Sequence, residues 1–327
     1  MSIGFTVILP VYNGEKTIER AILSVLKQSY KKFCLYIVND GSTDSTLKIC
    51  NQYANKDNRI KICSKKNGGL SSARNKGVKF AIDNMPNSKI IWLDADDELS
   101  DGLLEHLKQM FAEYKNIDAV FYNYNVVLSS GRVVHNGYID ARYGSETIID
   151  REQILKKIFI GDINNYMWAF AADVGCYNGI FYPEGKRYED MATLYKIAAN
   201  FNIASVTNFR GYNYYYDNPE SISKNFTTKD ARDLLCIISE VGDNYKNDDF
   251  KEYAVVFQSI YLTNIIISLV NNRDNESTLI VKEAQRLFGK LRKDLKMKNY
   301  VKSRYALKIL LMKFKLIIPI YKIKGLL

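Results

Sequence analysis

Ile90-Ile91-Trp92-Leu93-Asp94-Ala95-Asp96-Asp97-Glu98 decides how the chain reads. Four apolar residues run straight into four acids within five positions. The run has the length and type of a buried strand in a parallel sheet. The acids fall just past its carboxyl end, where open α/β sheets bind ligands. Carboxylates this close repel one another, and a hard divalent cation relieves that repulsion. Mg²⁺ held by one or two carboxylates plus substrate phosphates suits such a turn. A solvated acidic turn, with Asp97 or Ser100 capping the next helix, accounts for the same residues. The segment alone leaves both readings open.

Working outward, strand and helix patterns alternate. Phe5–Tyr12, Cys34–Val38 and Ile60–Cys63 read as strands, and Glu15–Gln28, Leu47–Ala54 and Ser71–Asp83 carry helical periodicity. This alternation predicts a doubly wound, mostly parallel sheet. Parallel strands share polarity, so the tips at Tyr12-Asn13, Asp40-Gly41 and Asp94-Ala95-Asp96 are expected on one edge. No GxGxxG follows the first strand and no GxxxxGK[ST] occurs, so neither the dinucleotide fingerprint nor a Walker loop is present. Lys65-Lys66-Asn67-Gly68-Gly69 and Arg74 supply positive charge nearby. Arg74 reads equally as a carboxylate or phosphate clamp and as a surface helix arginine.

With 327 residues the chain is long enough for two domains, and its net charge of +10 favours an anionic partner. Five cysteines lie scattered without a CxxC pair and read as reduced core thiols of an interior compartment. Two histidines make a histidine-built zinc site improbable. Neither a signal peptide nor a spanning helix is expected, and no nucleic-acid recognition module is visible.

The motifs Val7–Asn13, Ile37–Asp44, Asn67–Gly77 and Leu93–Asp97, in that order, resemble the family-two inverting glycosyltransferases. The resemblance covers roughly residues 4–225. It implies the A-type glycosyltransferase fold, a Rossmann-like, mostly parallel α/β sheet. It also implies a nucleotide-sugar site at Pro10, Val11, Tyr12, Asn13, Asp40, Asn67, Arg74, Asp94, Ala95 and Asp96. Asp96 would bind the Mg²⁺ or Mn²⁺ that bridges the diphosphate. Glu189-Asp190 resembles the family's Glu-Asp pair, with Asp190 as base and Glu189 orienting it or touching the donor sugar. Read without the resemblance, the pair is as readily a helix cap. Met167 and Phe170, in the Trp168 stretch that borders the acceptor in relatives, read as ordinary core. Tyr212–Ser223 resembles the family's aromatic segment ending in Ser-Ile, with Asp217 where many relatives carry a basic residue.

Residues 1–226 are therefore expected to form the catalytic domain and 227–327 an α-helical C-terminal region. Between Tyr300 and Leu327, apolar residues are interleaved with Lys308, Lys313, Lys315, Lys322 and Lys324. Such a tail suits an anionic membrane surface, or else closes a helical core or an oligomer contact. The function this implies is metal-dependent, inverting transfer of a hexosyl or N-acetylhexosaminyl group from a UDP-sugar. The acceptor would be a glycan or lipid-linked saccharide of bacterial surface polysaccharide, at the cytoplasmic face of the membrane. The alternative is a non-catalytic glycan- or partner-binding module on a degenerate transferase scaffold.

Overall fold

Strand β1 (Gly4–Val11) is buried from Phe5 to Val11. Helices cover both faces of such a strand, so its sequence is continuously apolar instead of alternating. It pairs in parallel with β2 (Phe33–Asn39) on one side and β4 (Ser88–Trp92) on the other, and β3 (Ile60–Ser64) extends the sheet beyond β2. Helices α1 (Ile18–Leu26), α2 (Thr46–Ala54) and α3 (Leu70–Asn84) connect these strands. The order β3-β2-β1-β4, all parallel, brings three strand tips to one edge as expected. The computed structural model describes residues 3–134, 147–216, 226–296 and 305–324. Most of the polar, tyrosine-bearing stretch Gly131–Ser145, which reads as a rim, lies outside the described residues, as does the Asp217–Ser223 part of the aromatic segment.

Past β4 the sheet changes character. Helix α4 (Leu103–Glu113) leads to β6 (Ala119–Val127). Strand β9 (Phe170–Asp173) is inserted antiparallel between β4 and β6. Its Ala171 and Ala172 face Ile91, Ile90, Val120 and Ala119 in register. Small side chains let this short strand slip between two others. Met167 and Phe170 are core, as the sequence predicts. Strand β10 (Ile203–Tyr215) runs parallel to β6 and antiparallel to β5 (Glu98–Leu99) and β8 (Thr147–Asp150), while β7 (Val133–Val134) joins β6. Helix α5 (Arg151–Phe159) follows β8, and α6 (Glu189–Ala198) precedes β10. The sheet is therefore parallel in its first half and mixed in its second.

The chain divides into two compact units, Met1–Ile154 with Tyr166–Ser221, and Leu155–Asn165 with Ile222–Leu327. The second is built on α7 (Thr228–Tyr245), α8 (Lys251–Leu269) and α9 (Asn275–Leu291), with α10 (Ala306–Lys313) and α11 (Ile317–Lys324) following. Helix α7 starts three residues earlier than its periodicity shows, because Thr227 and Asp230 form a reciprocal capping box. Among the described residues, helix α8 has the length and apolar composition of a membrane-spanning helix. Its Val256, Phe257, Leu262, Ile265 and Ile266 are buried within the unit, so protein already covers much of that apolar surface. No cysteine is in a disulfide. Cys34, Cys50 and Cys176 are core thiols, Cys63 is half-buried, and Cys236 is exposed.

Helix α3 can lie close on β1 only because residue 77 lacks a side chain. A Cβ at Gly77 would come 2.4 Å from Ile8 Cγ2. Gly77→Ala should therefore overpack the core and lower the unfolding free energy by about 1–3 kcal/mol. Gly289→Ala on α9, where the added methyl meets open space, should be neutral or stabilising by up to about 1 kcal/mol. Urea unfolding of the two variants checks the contrast.

Candidate active site

The tips of β1 and β2 are stitched together. Asn13 takes a left-handed conformation with φ of 49°, which asparagine tolerates better than most residues. Its Oδ1 accepts from the Thr43 amide at 2.8 Å, and its own amide donates to Ser42 Oγ at 3.0 Å. Pro10 and Val11 are buried beneath this turn, and Tyr12 projects from it with 53% of its surface exposed. Asp40, just past β2, is almost fully buried. Its carboxylate accepts from the Gly68 and Gly69 amides, the latter at 2.7 Å, and pairs with Lys65 Nζ. Asp40 thus anchors the loop that leads into α3, with Asn67 exposed on that loop.

Arg74, on the first turns of α3, is only 1% exposed. The reading as a surface helix arginine is therefore overturned. Its Nη1 donates to Glu189 Oε1 at 2.8 Å and to Asp190 Oδ1, and its Nη2 lies 3.4 Å from Asp94 Oδ1. Its guanidinium also packs over the rings of Trp92 and Tyr182. One cation thus serves three carboxylates that come from two distant parts of the chain. Asn75, the next residue, locks the incoming loop in place. Its Oδ1 accepts from the Tyr182 amide at 2.7 Å, and its Nδ2 donates to the Tyr182 carbonyl at 3.0 Å.

Glu189 and Asp190 open α6, but neither is its cap. Tyr188 occupies that position in the left-handed region, with no side-chain capping bond. Asp190 instead accepts from Arg74 and from the Met167 amide at 3.4 Å. The alternative roles for the first acidic turn fare similarly. Gly102 stands at the start of α4, without a side-chain cap. Asp97 turns inward and is buried, accepting from Tyr212 Oη at 3.0 Å and the Tyr215 amide at 2.8 Å. Tyr212 Oη accepts in turn from the Asp94 amide at 3.1 Å. Strand β10 therefore holds the Asp94–Asp97 turn in shape. Arg20 on α1 reaches the Asp96 carbonyl and lies 3.6 Å from the Tyr215 ring centre.

Burial dominates the electrostatics. It pushes the Asp190 carboxyl up to about 7 and that of Asp94 up to about 6, against the pull of Arg74. Glu189 raises Asp190 further, and Asp96 raises Asp94. Asp97 is held well above the carboxylate range by burial and by its acidic neighbours. Among the described residues, no group of three or more His, Cys, Asp or Glu side chains is arranged to hold a metal ion. The donor chemistry at Asp94 and Asp96 nevertheless fits Mg²⁺ or Mn²⁺: hard oxygen ligands, mutually repulsive, at an open turn. Most remaining ligands would then come from a bound phosphate group and water.

Arg74, Asp94, Glu189 and Asp190 are thus gathered into one cluster. Ala95 and Asp96 stand on the same turn as Asp94, and a Cβ at Gly14 would lie 3.8 Å from Ala95 Cβ. That contact sets the β1 tip beside the acidic turn. A separate cavity of about 450 Å³ lies at the opposite sheet edge, lined by Lys89, Asp118, Asp173 and Cys176 among others. Its polar groups are already paired, Lys89 with Asp173, and Asp118 with the Asn202 and Ile203 amides.

The model of glycosyl transferase family 2 matches residues 6–173, just over half of the chain. The chain belongs to that family. Among its relatives, the minor teichoic acid biosynthesis protein GgaB of Bacillus subtilis is 38% identical over 154 residues. That match takes in 46% of this chain and only 16% of GgaB. Glycosyltransferase GlyG of Streptococcus pneumoniae serotype 4 is 27% identical over 259 residues, 73% of this chain and 80% of GlyG. The crystal structure of S. aureus TarS residues 1–349 with UDP-GlcNAc superposes with a TM-score of 0.71 at 20% identity. It covers 98% of this chain and 92% of that one, and the likeness confirms the A-type fold.

Tyr212 and Asn75 lie in segments that carry the resemblance, but residue type and spacing assign them no individual role, and the same holds for Tyr182 and Arg20. Tyr212 is one of four tyrosines in a five-residue run, Tyr212-Asn213-Tyr214-Tyr215-Tyr216, and strand alternation does not single out the one that faces the acids.

Removing the shared cation should expose the cost of the cluster. Arg74→Met leaves buried carboxylates without their partner, a loss of about 3–5 kcal/mol near pH 8. A carboxyl whose folded value is raised keeps its proton longer in the folded state. Stability therefore falls as pH climbs from the unfolded value of about 4 towards the folded values. The Arg74→Met penalty should accordingly shrink as pH drops to about 5, measured by urea unfolding across pH.

Proposed function

We propose that the chain is an inverting glycosyltransferase. It moves a hexosyl or N-acetylhexosaminyl group from a nucleotide sugar, most simply a UDP-sugar, to a hydroxyl of a glycan or lipid-linked saccharide. Its place would be bacterial surface-polysaccharide synthesis, with catalysis in the sheet-bearing unit. The observation that carries the reading is Asp190. It is a carboxylate with raised proton affinity, held by Arg74 and the Met167 amide beside the acidic turn. The family assignment, the teichoic acid relative and the UDP-GlcNAc held by the TarS structure support it. The chain spans a small fraction of GgaB, so the acceptor is inferred from chemistry and not from that relative's whole activity.

Asp190 takes the proton from the acceptor hydroxyl, whose oxygen attacks the anomeric carbon from the side opposite the nucleotide. The sugar–phosphate bond breaks as the new glycosidic bond forms, and the configuration inverts in one displacement. A base with an acidity near 7 is matched to work at neutral pH. Arg74 fixes the orientation of Asp190 and balances its charge once ionised. Glu189 and Asp94 share that guanidinium and line the donor sugar side. Asp96, with Asp94, would hold Mg²⁺ or Mn²⁺, which supplies Lewis-acid stabilisation to the departing diphosphate. Pro10, Val11, Tyr12, Asn13, Asp40, Asn67 and Ala95 would frame the nucleoside. Asp40 would do so chiefly by shaping the Lys65–Gly69 loop, to which its carboxylate is bonded.

The acceptor reading rests on aromatic rings beside the base. Tyr166 and Trp168 flank Met167, whose amide meets Asp190. Tyr166 stacks on Trp168 at 4.7 Å, and Trp168 stacks on Tyr212 at 4.4 Å. This braced pile leaves part of Tyr166 exposed, a rigid apolar face of the kind that sugar rings cover.

Asp190→Asn should reduce transfer by at least about a thousandfold while nucleoside diphosphate affinity, by calorimetry, changes little. A variant that turns over like the native enzyme would remove Asp190 from the chemistry. A donor panel assayed with Mg²⁺ or Mn²⁺ that gives no turnover would favour a binding module. The transfer rate at limiting acceptor should rise about tenfold per pH unit below 7 and level off above it, as Asp190 ionises. Tyr166→Ala should raise the acceptor KM by about tenfold with little change in the donor KM.

A further inference from the structure

Of the net charge of +10, nine units belong to residues 295–327, which contain nine lysines and arginines and no acid. The other 294 residues are nearly neutral overall. Charge separated this sharply is not needed for solubility. It points to a surface that meets something anionic.

The described part of this segment also carries uncovered apolar surface. On α10, Ile309 and Met312 turn inward and are buried. Leu307 and Phe314 lie seven residues apart, so they share the opposite face. They are 66% and 61% exposed, and Leu316 is 48% exposed. Leu310 and Leu311, also partly exposed, fall between them. Helix α10 is thus apolar on two sides, and the helical unit covers one of them. The corner that follows is rigidly drawn. Lys315 adopts a φ of 61°, its amide donates to the Met312 carbonyl, and the Leu316 amide donates to the Leu311 carbonyl at 2.8 Å. Phe314 and Leu316 are thus both exposed on either side of Lys315 at this turn, and Lys313, which donates to the Leu295 carbonyl at 3.3 Å, precedes them.

We propose that this corner of α10 and α11 docks on an anionic lipid bilayer, with Leu307, Phe314 and Leu316 entering the headgroup–acyl boundary and the lysines meeting lipid phosphates. An interfacial helix with an apolar face and a basic rim binds membranes in this way. A second copy of the chain is the weaker occupant, because pairing two such faces would bring Lys313 and Lys315 of each copy together, and residues 295–327 contain no acid to offset them. Unlike the transfer reaction, the proposal concerns binding alone and stands whether or not the chain is catalytic.

The test is co-sedimentation of the full chain with phosphatidylcholine vesicles, with and without about one-third phosphatidylglycerol. The native chain should bind the anionic vesicles at least about tenfold better than the neutral ones, and less so in high salt. Phe314→Ser with Leu316→Ser should reduce binding by about tenfold or more, with the melting temperature and turnover of a soluble acceptor unchanged. Lys315→Glu alone, at an exposed position, should cost about fivefold. Equal binding by the double variant, or no preference for anionic vesicles, would overturn the proposal. So would a native dimer, seen by light scattering, that the double variant converts to monomer.

Discussion

A single buried guanidinium holds this site together. Arg74 meets Asp94 after β4 and Glu189 and Asp190 at the start of α6, so it joins two segments almost a hundred residues apart in sequence. Burying one arginine among three acids leaves the cluster short of positive charge. Its members respond as low-dielectric carboxyls do, by holding protons more tightly. That imbalance raises the proton affinity of Asp190 and Asp94, which is what the proposed role of Asp190 as base calls for.

The rest of the sheet serves to hold that arrangement still. Helix α3 lies directly on β1 through Gly77, which sets the depth of Arg74. Asn75 ties the loop before α6 to α3, and Tyr212 and Tyr215 on β10 hold Asp97 and with it the acidic turn. These are hydrogen bonds to backbone and between buried side chains, with little freedom to drift. The aromatic pile of Tyr166, Trp168 and Tyr212 extends the same frame towards the side from which an acceptor would approach.

The two ends of the chain follow different physical rules. In the sheet-bearing unit, charge is buried, paired and used. Residues 295–327 hold nine lysines and arginines and no acid, and in their described part Phe314 and Leu316 are exposed beside Lys313 and Lys315 in sequence. An enzyme that adds sugars to a lipid-borne acceptor would benefit from both, one arrangement for the chemistry and one for residence where the acceptor lies.

Much of this was legible before any coordinates. Apolar runs that stop at Tyr12-Asn13, Asp40-Gly41 and Asp94-Ala95-Asp96 determined the parallel half of the sheet and its shared edge, because strand burial and polarity are local properties of sequence. The antiparallel insertion of β9 was not readable, since four residues rich in alanine carry no period. Nor could spacing decide whether Arg74 faced solvent, or whether Asp97 and Asp190 merely capped helices. Those outcomes depend on which distant groups arrive opposite each side chain. Residue type and order set the chemistry available, whereas burial and long-range pairing, which exist only once the chain has closed on itself, decided which acids share a cation and which of them lie away from water.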